Sequence, residues 1–462
     1  MIQINWLLPH VLLLAGFLLA VVLTTQILRK RRAPTATLAW LLFIFTIPYL
    51  GVPAYLVFGG RKMRRLAGRK DKLQLSGKDI PSPITVTDIE QVLITQNSPA
   101  ASRGNRVSFH HTGQATYQAL VELILAATDS LYITLFILHP DAVGRDILGL
   151  LEQRATEGVK VRLLLDGVGS LHTHRRFLEP LQQAGGRYAY FMPVLHRPFR
   201  GRTDLRNHRK IVIADETRVL AGGANIAEEY MGPETRPGRW RDLTFTLEGP
   251  AVSQYIELFI SDWGFASDEW LLARQPQPFS IDTDSVTTQV VPSGPDVSKD
   301  PLYDALLTAV FSATERVWII TPYFIPDQAL CRALILAVHR GVDIRILLPE
   351  HSNHRLADIT GRGYLREIQE EGGRILLYRP GMVHAKAMIR DHDIAMVGSA
   401  NFDMRSLMLN YEVALLIYSE AKNRQLAQWM QGLMRESATG IKPIGPIGEI
   451  GEGLARLLAP QL

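Results

Sequence analysis

Two segments of the chain carry histidine, lysine, aspartate and asparagine at the same intervals. The first contains His208, Lys210, Asp215 and Asn225, and the second contains His384, Lys386, Asp391 and Asn401. In both segments the asparagine follows the histidine by 17 residues, and small residues (Gly-Gly-Ala or Gly-Ser-Ala) precede it. Two polar sets in one register are hard to obtain by chance, so the sequence predicts two halves of one active site.

A pocket with two histidines, two lysines and two asparagines is suited to a phosphate group. Lysine supplies positive charge and asparagine supplies amide donors, and both can stabilise the charge on a pentacoordinate phosphorus. One histidine can attack phosphorus while the other protonates the leaving oxygen and then deprotonates an incoming alcohol. This chemistry needs no cofactor, and we find no convincing carboxylate or Cys/His ligand set for a metal.

The motif histidines and aspartates also have a purely structural interpretation. A lone buried histidine is usually structural, but two histidines in matching frames reverse that expectation. Asp215 and Asp391 fall at odd offsets from their histidines and just before a turn, so they are better placed to fix the loop than to enter the pocket.

The elements around the motifs also repeat. Strands and helices alternate, which predicts an α/β sheet layered by helices. The β-rich segment 316–325 parallels 130–137, and 341–349 parallels 158–166. This duplication predicts two similar lobes, residues 101–283 and 284–437, related by a pseudo-twofold axis, with both motifs in the cleft between them.

Two apolar runs near the N-terminus predict a membrane hairpin over residues 1–60. They cover about 6–28 and 38–58, and each is long enough to cross a bilayer as a helix. A cleaved signal peptide fits poorly, because no Lys or Arg occurs at the extreme N-terminus and a second apolar run follows at once. A polar, basic linker (61–100) and a C-terminal tail (438–462) flank the lobes.

The charge distribution favours lipid over nucleic acid as a partner. The net charge is only +5, but basic residues concentrate at Arg29–Arg32 and between residues 61 and 72, beside the apolar runs. The positive-inside rule then puts the large domain on the cytoplasmic face. The second segment could also bend at Pro48, Gly51 and Pro53 and return to the same face of the membrane. Both basic clusters would then lie on the cytoplasmic side. The single cysteine, Cys331, excludes internal disulfides.

The motifs resemble those of the phospholipase D superfamily, and the flanking residues resemble its bacterial cardiolipin synthase family in particular. The segments that carry the resemblance are Asn207-His-Arg-Lys-Ile, Gly222-Gly-Ala-Asn-Ile, Glu229-Tyr, Trp240-Arg-Asp, Thr321-Pro-Tyr-Phe-Ile-Pro and Gly398-Ser-Ala-Asn-Phe-Asp-Met-Arg-Ser-Leu-Met-Leu-Asn-Tyr-Glu. Glu216 departs from the glycine common after the first motif aspartate, and 351–355 departs from a segment usually richer in Asp. These departures concern acceptor specificity and leave the chemistry intact.

The resemblance implies transfer of a phosphatidyl group through a phosphohistidine, in a bacterial inner-membrane protein with several spans and no cofactor. It assigns His208 as nucleophile and His384 as general acid/base, with the reverse left open. Lys210 and Lys386 belong to the catalytic motifs together with Asp215 and Asp391, while Asn225 and Asn401 bind the phosphate. Asp242 and Glu412, which follow their motif histidines by 34 and 28 positions, would orient the imidazoles or else form a salt bridge.

The implied reaction makes cardiolipin and glycerol from two phosphatidylglycerol molecules, with anionic phospholipids and the bilayer as partners. A phospholipase D or transphosphatidylase that uses water or another alcohol would have the same active-site residues. A nuclease is disfavoured by the apolar runs, and a non-catalytic scaffold by two intact motifs. The sequence does not indicate an oligomeric state.

Overall fold

The structure, a computed structural model, describes residues 34–58, 87–192, 205–267, 269–273 and 284–456, with isolated positions at 10, 14, 17–19, 21–25, 27, 28, 70, 73 and 75. The chain divides into two compact units, Met1–Met63 and Arg64–Leu462. About half of the first predicted span and all of the loop 193–204 lie outside the described residues.

In the smaller unit, the second apolar segment is folded back on itself. It forms two helices, α1 (Pro34–Thr46) and α2 (Pro48–Phe58), instead of the single helix expected over 38–58. Proline disfavours helical backbone in the residue before it, which places the break at Ile47. The rings of Trp40 and Tyr55 are 5.2 Å apart, whereas 15 residues of straight helix would span about 22 Å.

A glycine permits this close return. A side-chain carbon at Gly51 would lie 2.5 Å from the carbonyl oxygen of Phe43, so only glycine fits there. Ile44, Val52 and Tyr55 are buried in one apolar cluster with Leu23 and Ile27. Within the residues that the structure describes, no helix combines the length and the apolar character needed to cross a membrane.

The larger unit is built on one sheet flanked by helices. Its N-terminal strands are β1 (Ser102–His110), β2 (Ser130–Leu135), β3 (Lys160–Asp166), β4 (Arg187–Phe191), β5 (Ile211–Ala214), β6 (Arg218–Gly222) and β7 (Thr244–Glu248). The C-terminal strands are β8 (Val286–Ser293), β9 (Arg316–Ile320), β10 (Phe324–Ile325), β11 (Asp343–Pro349), β12 (Arg374–Tyr378), β13 (Ala387–Arg390), β14 (Ile394–Gly398), β15 (Phe402–Asp403), β16 (Glu412–Tyr418) and β17 (Ser437–Thr439).

The helices alternate with these strands in both halves. They are α3 (Asp88–Thr95), α4 (Gly113–Ala126), α5 (Ala142–Thr156), α6 (Arg175–Gln183), α7 (Val252–Ser267), α8 (Pro301–Ser312), α9 (Gln328–His339), α10 (Arg355–Glu370), α11 (Met404–Met408), α12 (Glu420–Arg435) and α13 (Pro446–Arg456). The predicted α/β architecture is confirmed.

The strand order reveals the internal duplication. Fifteen of the described strands form a continuous sheet in the order β17-β12-β11-β9-β13-β14-β16-β8-β1-β7-β6-β5-β2-β3-β4, while β10 pairs with β15. From the antiparallel β8–β1 pair outward, the order of one half mirrors the other, with β16 matching β7 and β9 matching β2. We refer to these halves as the first and second lobes.

Equivalent helices in the two lobes begin in the same way. Asp141 at the start of α5 accepts a hydrogen bond from the Gly144 amide, and Asp327 at the start of α9 accepts one from the Leu330 amide, both at 2.9 Å. Each aspartate follows a proline in the sequence. Such capping satisfies amide groups that a helix cannot pair internally.

The described part of the predicted linker is more structured than its composition indicates. It contains α3, whose Ile89 and Leu93 pack into the apolar core of the second lobe. Lys70 and Leu75 are also buried, with Leu75 in the core cluster that spans both lobes. The sequence does not predict these contacts, because few apolar residues cluster in this segment.

Candidate active site

The two motif histidines are held by backbone contacts that cross between the lobes. Asn207 forms a parallel bridge with Tyr411, and Val383 forms the equivalent bridge with Arg241. The amide of His208 donates to the Tyr411 carbonyl at 2.9 Å, and the amide of His384 donates to the Arg241 carbonyl at 2.7 Å. Each His-x-Lys segment therefore lies against the other lobe, which brings the two half-sites into one cleft.

His384 is paired with an acidic residue of the first lobe. Its Nδ1 is 2.6 Å from Oδ2 of Asp242, and both side chains are buried. The carboxylate can only accept, so Nδ1 carries the proton and Nε2 faces the cleft as the titrating atom. The rings of Tyr230 and Trp240 lie 5.0 and 5.4 Å from the imidazole and fix its plane.

His208 has the equivalent relation to the second lobe. Its Nδ1 is 3.1 Å from Oε1 of Glu412, close enough for an ion pair but not aligned as a hydrogen bond. The Phe136 ring packs edge-on against the imidazole, with centroids 4.3 Å apart. Because Nδ1 faces the carboxylate, Nε2 is the nitrogen available to attack.

Asp242 and Glu412 thus serve the histidine of the opposite lobe. The spacing did not indicate which imidazole each acid contacts, and the bridges Arg241–Val383 and Asn207–Tyr411 bring each acid beside the motif of the other lobe. The acidic residues are close to the imidazoles, as the resemblance implied, and their partners are exchanged.

The motif position before the Ala-Asn pair differs between the lobes for a steric reason. An added carbon at Gly223 would lie 2.2 Å from Oδ1 of Asp242. Ser399 at the equivalent position instead donates to Oε2 of Glu412 at 2.5 Å and accepts from the Val413 amide at 3.1 Å. Ser399 therefore orients Glu412, a role that the sequence pattern did not reveal.

The lysines and asparagines complete the cleft. Lys386 Nζ lies over the His384 ring, 2.7 Å from Nδ1 and 3.1 Å from Nε2, and Lys210 Nζ donates to the His208 carbonyl at 2.6 Å. Asn225 accepts from the Ile137 amide at 3.1 Å, while the buried amide oxygen of Asn401 has no hydrogen-bond partner among the described residues. The cleft thus contains two lysines and two imidazoles, whose N–H groups can donate to an anionic ligand.

Burial perturbs the titration of these groups. It lowers the pKa of Lys386 to about 7 and that of Lys210 to about 8, although Asp242 and Glu412 oppose the effect. Burial, followed by the neighbouring lysine, lowers the pKa of His384 to about 3 and also lowers the pKa of His208. Both imidazoles of the empty site are therefore neutral at pH 7.

Anion binding is expected to depend on pH because of the lysines. A bound dianion stabilises the ammonium forms of the two lysines. The affinity for the dianion is therefore highest below the pKa that Lys386 has without a ligand, and it falls as pH rises through about 7 to 8. The expected loss is up to about tenfold per pH unit for each proton taken up. Calorimetric titration with sulfate, whose charge is constant in this range, should show proton uptake at pH 8.

The matched variant for that experiment is Lys386→Arg, since a guanidinium stays charged and should flatten the dependence. A sulfate affinity that is unchanged between pH 6.5 and 8.5 in the unaltered protein would contradict the titration of the lysines.

Asp215 and Asp391 are not in the cleft. Asp215 accepts from the amides of residues 128–130 at the start of β2, and Asp391 accepts from the amides of 314–316 at the start of β9. Each lies beyond the end of a strand that begins after the motif lysine, so a whole strand separates it from its histidine. Their inclusion among the catalytic residues is corrected: they fix a turn, as their spacing indicated.

A buried charge network lies behind the first half-site. Asp262 accepts from Asn207 Nδ2 at 2.8 Å and from Arg209 at 2.7 Å, and it also pairs with Lys70. Lys70 contacts Asp296 at 2.8 Å and lies 4.8 Å above the Tyr411 ring. Two cations and two carboxylates thereby fix the residues on both sides of His208.

Breaking this network should destabilise the larger unit. Lys70→Met leaves an uncompensated buried carboxylate, with an expected loss of about 3–5 kcal/mol in the free energy of unfolding. Asp296→Asn in the same chain restores charge balance, so the double variant should be more stable than Lys70→Met alone. Thermal unfolding in detergent tests this, and a double variant that loses the sum of both single effects would contradict it.

Comparisons with known proteins agree with this geometry. The family description "Cardiolipin synthase, PLD-like domain" matches residues 120–263 and 306–434, one match in each lobe, and "Phospholipase_D-nuclease N-terminal" matches 18–60. The chain is 32% identical over 464 residues to cardiolipin synthase A of Pseudomonas putida, with 96% of both chains covered. It is 33% identical to the major cardiolipin synthase of Bacillus subtilis, with 90% of both covered.

Among solved structures, phosphatidylserine synthase of Haemophilus influenzae is similar in fold, with a TM-score of 0.62, 16% identity, and 81% of this chain and 99% of that chain covered. The two lobes therefore have the phospholipase D-like fold. The chain belongs to the cardiolipin synthase family of the phospholipase D superfamily, which confirms the resemblance seen in its motifs.

Within the described parts of the chain, no group of three His, Cys, Asp or Glu residues is arranged to hold a metal ion.

Proposed function

We propose that the protein is a cardiolipin synthase, a phosphatidyltransferase that joins two phosphatidylglycerol molecules and releases glycerol. The observation that carries the proposal is the meeting of two His-x-Lys half-sites in one cleft, each histidine paired with an acid of the other lobe. The similarity to cardiolipin synthases over almost the whole chain supports this reaction over others of the superfamily.

In the first step, Nε2 of His208 attacks the phosphorus of the donor lipid. The phosphorus–oxygen bond to the glycerol headgroup breaks, and His384 gives its proton to that oxygen as glycerol leaves. The product is a phosphatidyl group bound to His208. Lys210 and Lys386 stabilise the charge on the phosphoryl oxygens, together with Asn225 and Asn401.

In the second step, a hydroxyl group of another phosphatidylglycerol attacks the same phosphorus. His384 takes the hydroxyl proton, the phosphorus–nitrogen bond breaks, and cardiolipin forms with His208 restored. His384 ends each cycle in the protonation state in which it began.

The protonation states fit these roles once the substrate is bound. A lowered pKa keeps His208 unprotonated, as a nucleophile requires. His384 must be protonated in the first step, yet burial holds its pKa at about 3 in the empty site. The negative phosphodiester, with Asp242 already at Nδ1, favours the imidazolium, so proton uptake accompanies binding of the donor.

The N-terminal unit would anchor the enzyme in the bacterial inner membrane, with anionic phospholipids around it and the catalytic lobes, residues 101–283 and 284–437, on the cytoplasmic face. The return of α2 along α1 supports a second segment that re-enters the same face. Nucleic acid is not an expected partner.

The test is to supply the purified protein with phosphatidylglycerol vesicles and to measure the lipid products together with free glycerol. Cardiolipin and glycerol in equal amounts are expected. Phosphatidic acid as the main product would identify a hydrolase instead.

A further inference from the structure

A cavity of about 460 Å³ opens in the second lobe at the carboxyl edge of β9, β11 and β12. The first turns of α10 form one wall. The segment 438–444, which follows the repeated part of the chain and has no equivalent in the first lobe, forms another. The carboxyl edge of parallel strands is where α/β sheets bind ligands, and the volume is within the range of small-molecule sites.

The cavity adjoins the half-site that contains His384. Strand β13 runs antiparallel to β9, with Ala387 opposite Ile320. Beyond this pair, Phe324 pairs with Phe402, the residue after the motif Asn401. The segment Pro322 to Phe324 lines the cavity.

The lining has an apolar interior and cations at its mouth. Phe324, Leu348, Leu365 and Leu377 line the interior. The charged lining residues are Glu350, Asp358, Arg362, Arg366, Arg379 and Lys442. Glu350 pairs with Arg379, Arg366 pairs with Glu452, and Asp358 accepts from the Ser352 amide. Arg362 and Lys442 are exposed and have no ion pair in the described structure, so the lining carries a net positive charge. An apolar interior with unpaired cations at the opening is complementary to one acyl chain and the phosphate of an anionic lipid.

The outer surface beside the opening is also apolar. Leu356 and Ile359, on the same two turns of α10, are 38% and 43% exposed. Together with the exposed Arg355 and Arg362 they give this end of the helix the mixed apolar and basic character of a bilayer-contacting surface.

We propose that this cavity binds the acceptor phosphatidylglycerol. The inference rests on the proposed function, because the in-line transfer reaction is what gives the donor lipid and the acceptor lipid different positions at the site. The incoming hydroxyl must approach phosphorus from the side opposite His208, which is the side of His384 and of the second lobe. The donor remains attached to His208, so a lipid site confined to the second lobe serves the second lipid.

The experiment compares products from phosphatidylglycerol vesicles, with glycerol release as the internal reference. Arg362→Gln/Lys442→Gln should lower the ratio of cardiolipin to glycerol by about tenfold or more, because the two charge-assisted contacts to the acceptor are lost. Water then resolves the intermediate, and phosphatidic acid replaces cardiolipin. Ile444→Trp, which fills the cavity without a change of charge, should shift the ratio in the same direction.

The control is Arg332→Gln/Arg424→Gln, which removes two exposed cations of the same lobe outside the cavity and should leave the ratio unchanged. An unchanged ratio in both cavity variants would overturn the proposal, as would a parallel fall of cardiolipin and glycerol at constant ratio. Failure of the unaltered protein to make any cardiolipin would instead overturn the proposed function.

Discussion

Replacement of His208 by alanine is expected to lower glycerol release from phosphatidylglycerol by at least about 10⁴-fold. The reason is that the covalent intermediate cannot form, while the lysines and asparagines that bind phosphate remain. The resemblance to the superfamily assigns His208 as the nucleophile, and the geometry permits it: Glu412 lies at its Nδ1, and burial with Lys210 lowers its pKa.

The matched control is His172→Ala, which removes an exposed histidine of the same lobe and should retain normal activity. Sulfate binding should persist in His208→Ala, which separates loss of chemistry from loss of the folded site. Residual activity above one hundredth of normal would argue that His208 is not the nucleophile.

Asp242→Asn is expected to lower kcat by about 10²–10⁴-fold. Asp242 is a positioning residue: its carboxylate holds the proton on Nδ1 of His384 and favours the imidazolium. Asparagine removes that negative charge, which lowers the pKa of His384 in the substrate complex. Activity requires the protonated ring in the first step, so the alkaline limb of the kcat profile should move to lower pH.

Asp215→Asn provides a sharp comparison, because Asp215 belongs to the repeated motif and Asp242 does not. The Asp215 carboxylate accepts several amide hydrogen bonds at a turn, so its loss should cost about 1–3 kcal/mol of stability. Those amides hold the pKa of Asp215 low against the effect of burial. Its contribution to the free energy of unfolding is therefore present above about pH 4 and is lost as pH falls. Equal losses of kcat in the two variants would contradict the assignment.

The equal spacing of the two motifs was sufficient to predict that they meet in one cleft. His208, His384 and their lysines recur at fixed spacing because both lobes need the same strand-and-turn geometry around one phosphate. The alternation of apolar segments predicted the α/β layers for the same reason, since each strand and helix buries its own apolar face locally.

The exchange of acidic partners could not be predicted in this way. Asp242 and Glu412 are nearer in sequence to the histidine of their own lobe, and only the crossed bridges at Tyr411 and Arg241 reverse the pairing. Lys70 was equally hidden, because it belongs to the basic cluster between residues 61 and 72, which the sequence assigns to the lipid surface. Long-range contacts of this kind depend on the packing of the lobes and leave no periodic signal.

The hairpin illustrates a third kind of limit. Hydropathy reports the composition of a segment and does not detect a break between two helices, so α1 and α2 were predicted as a single span. The helix break follows from Pro48, and the close return from the absence of a side chain at Gly51. The sequence named these residues and left a bent segment that returns to the same face as an alternative, but it did not decide between that segment and a straight span.

The most direct test of the central claim is to locate the phosphatidyl group on the enzyme. The protein would be mixed with phosphatidylglycerol, quenched at alkaline pH within the first turnover, digested, and analysed by mass spectrometry. We expect the phosphatidyl group on His208, with the adduct absent in His208→Ala. A phosphatidyl group on His384, or an adduct that persists in His208→Ala, would contradict the account.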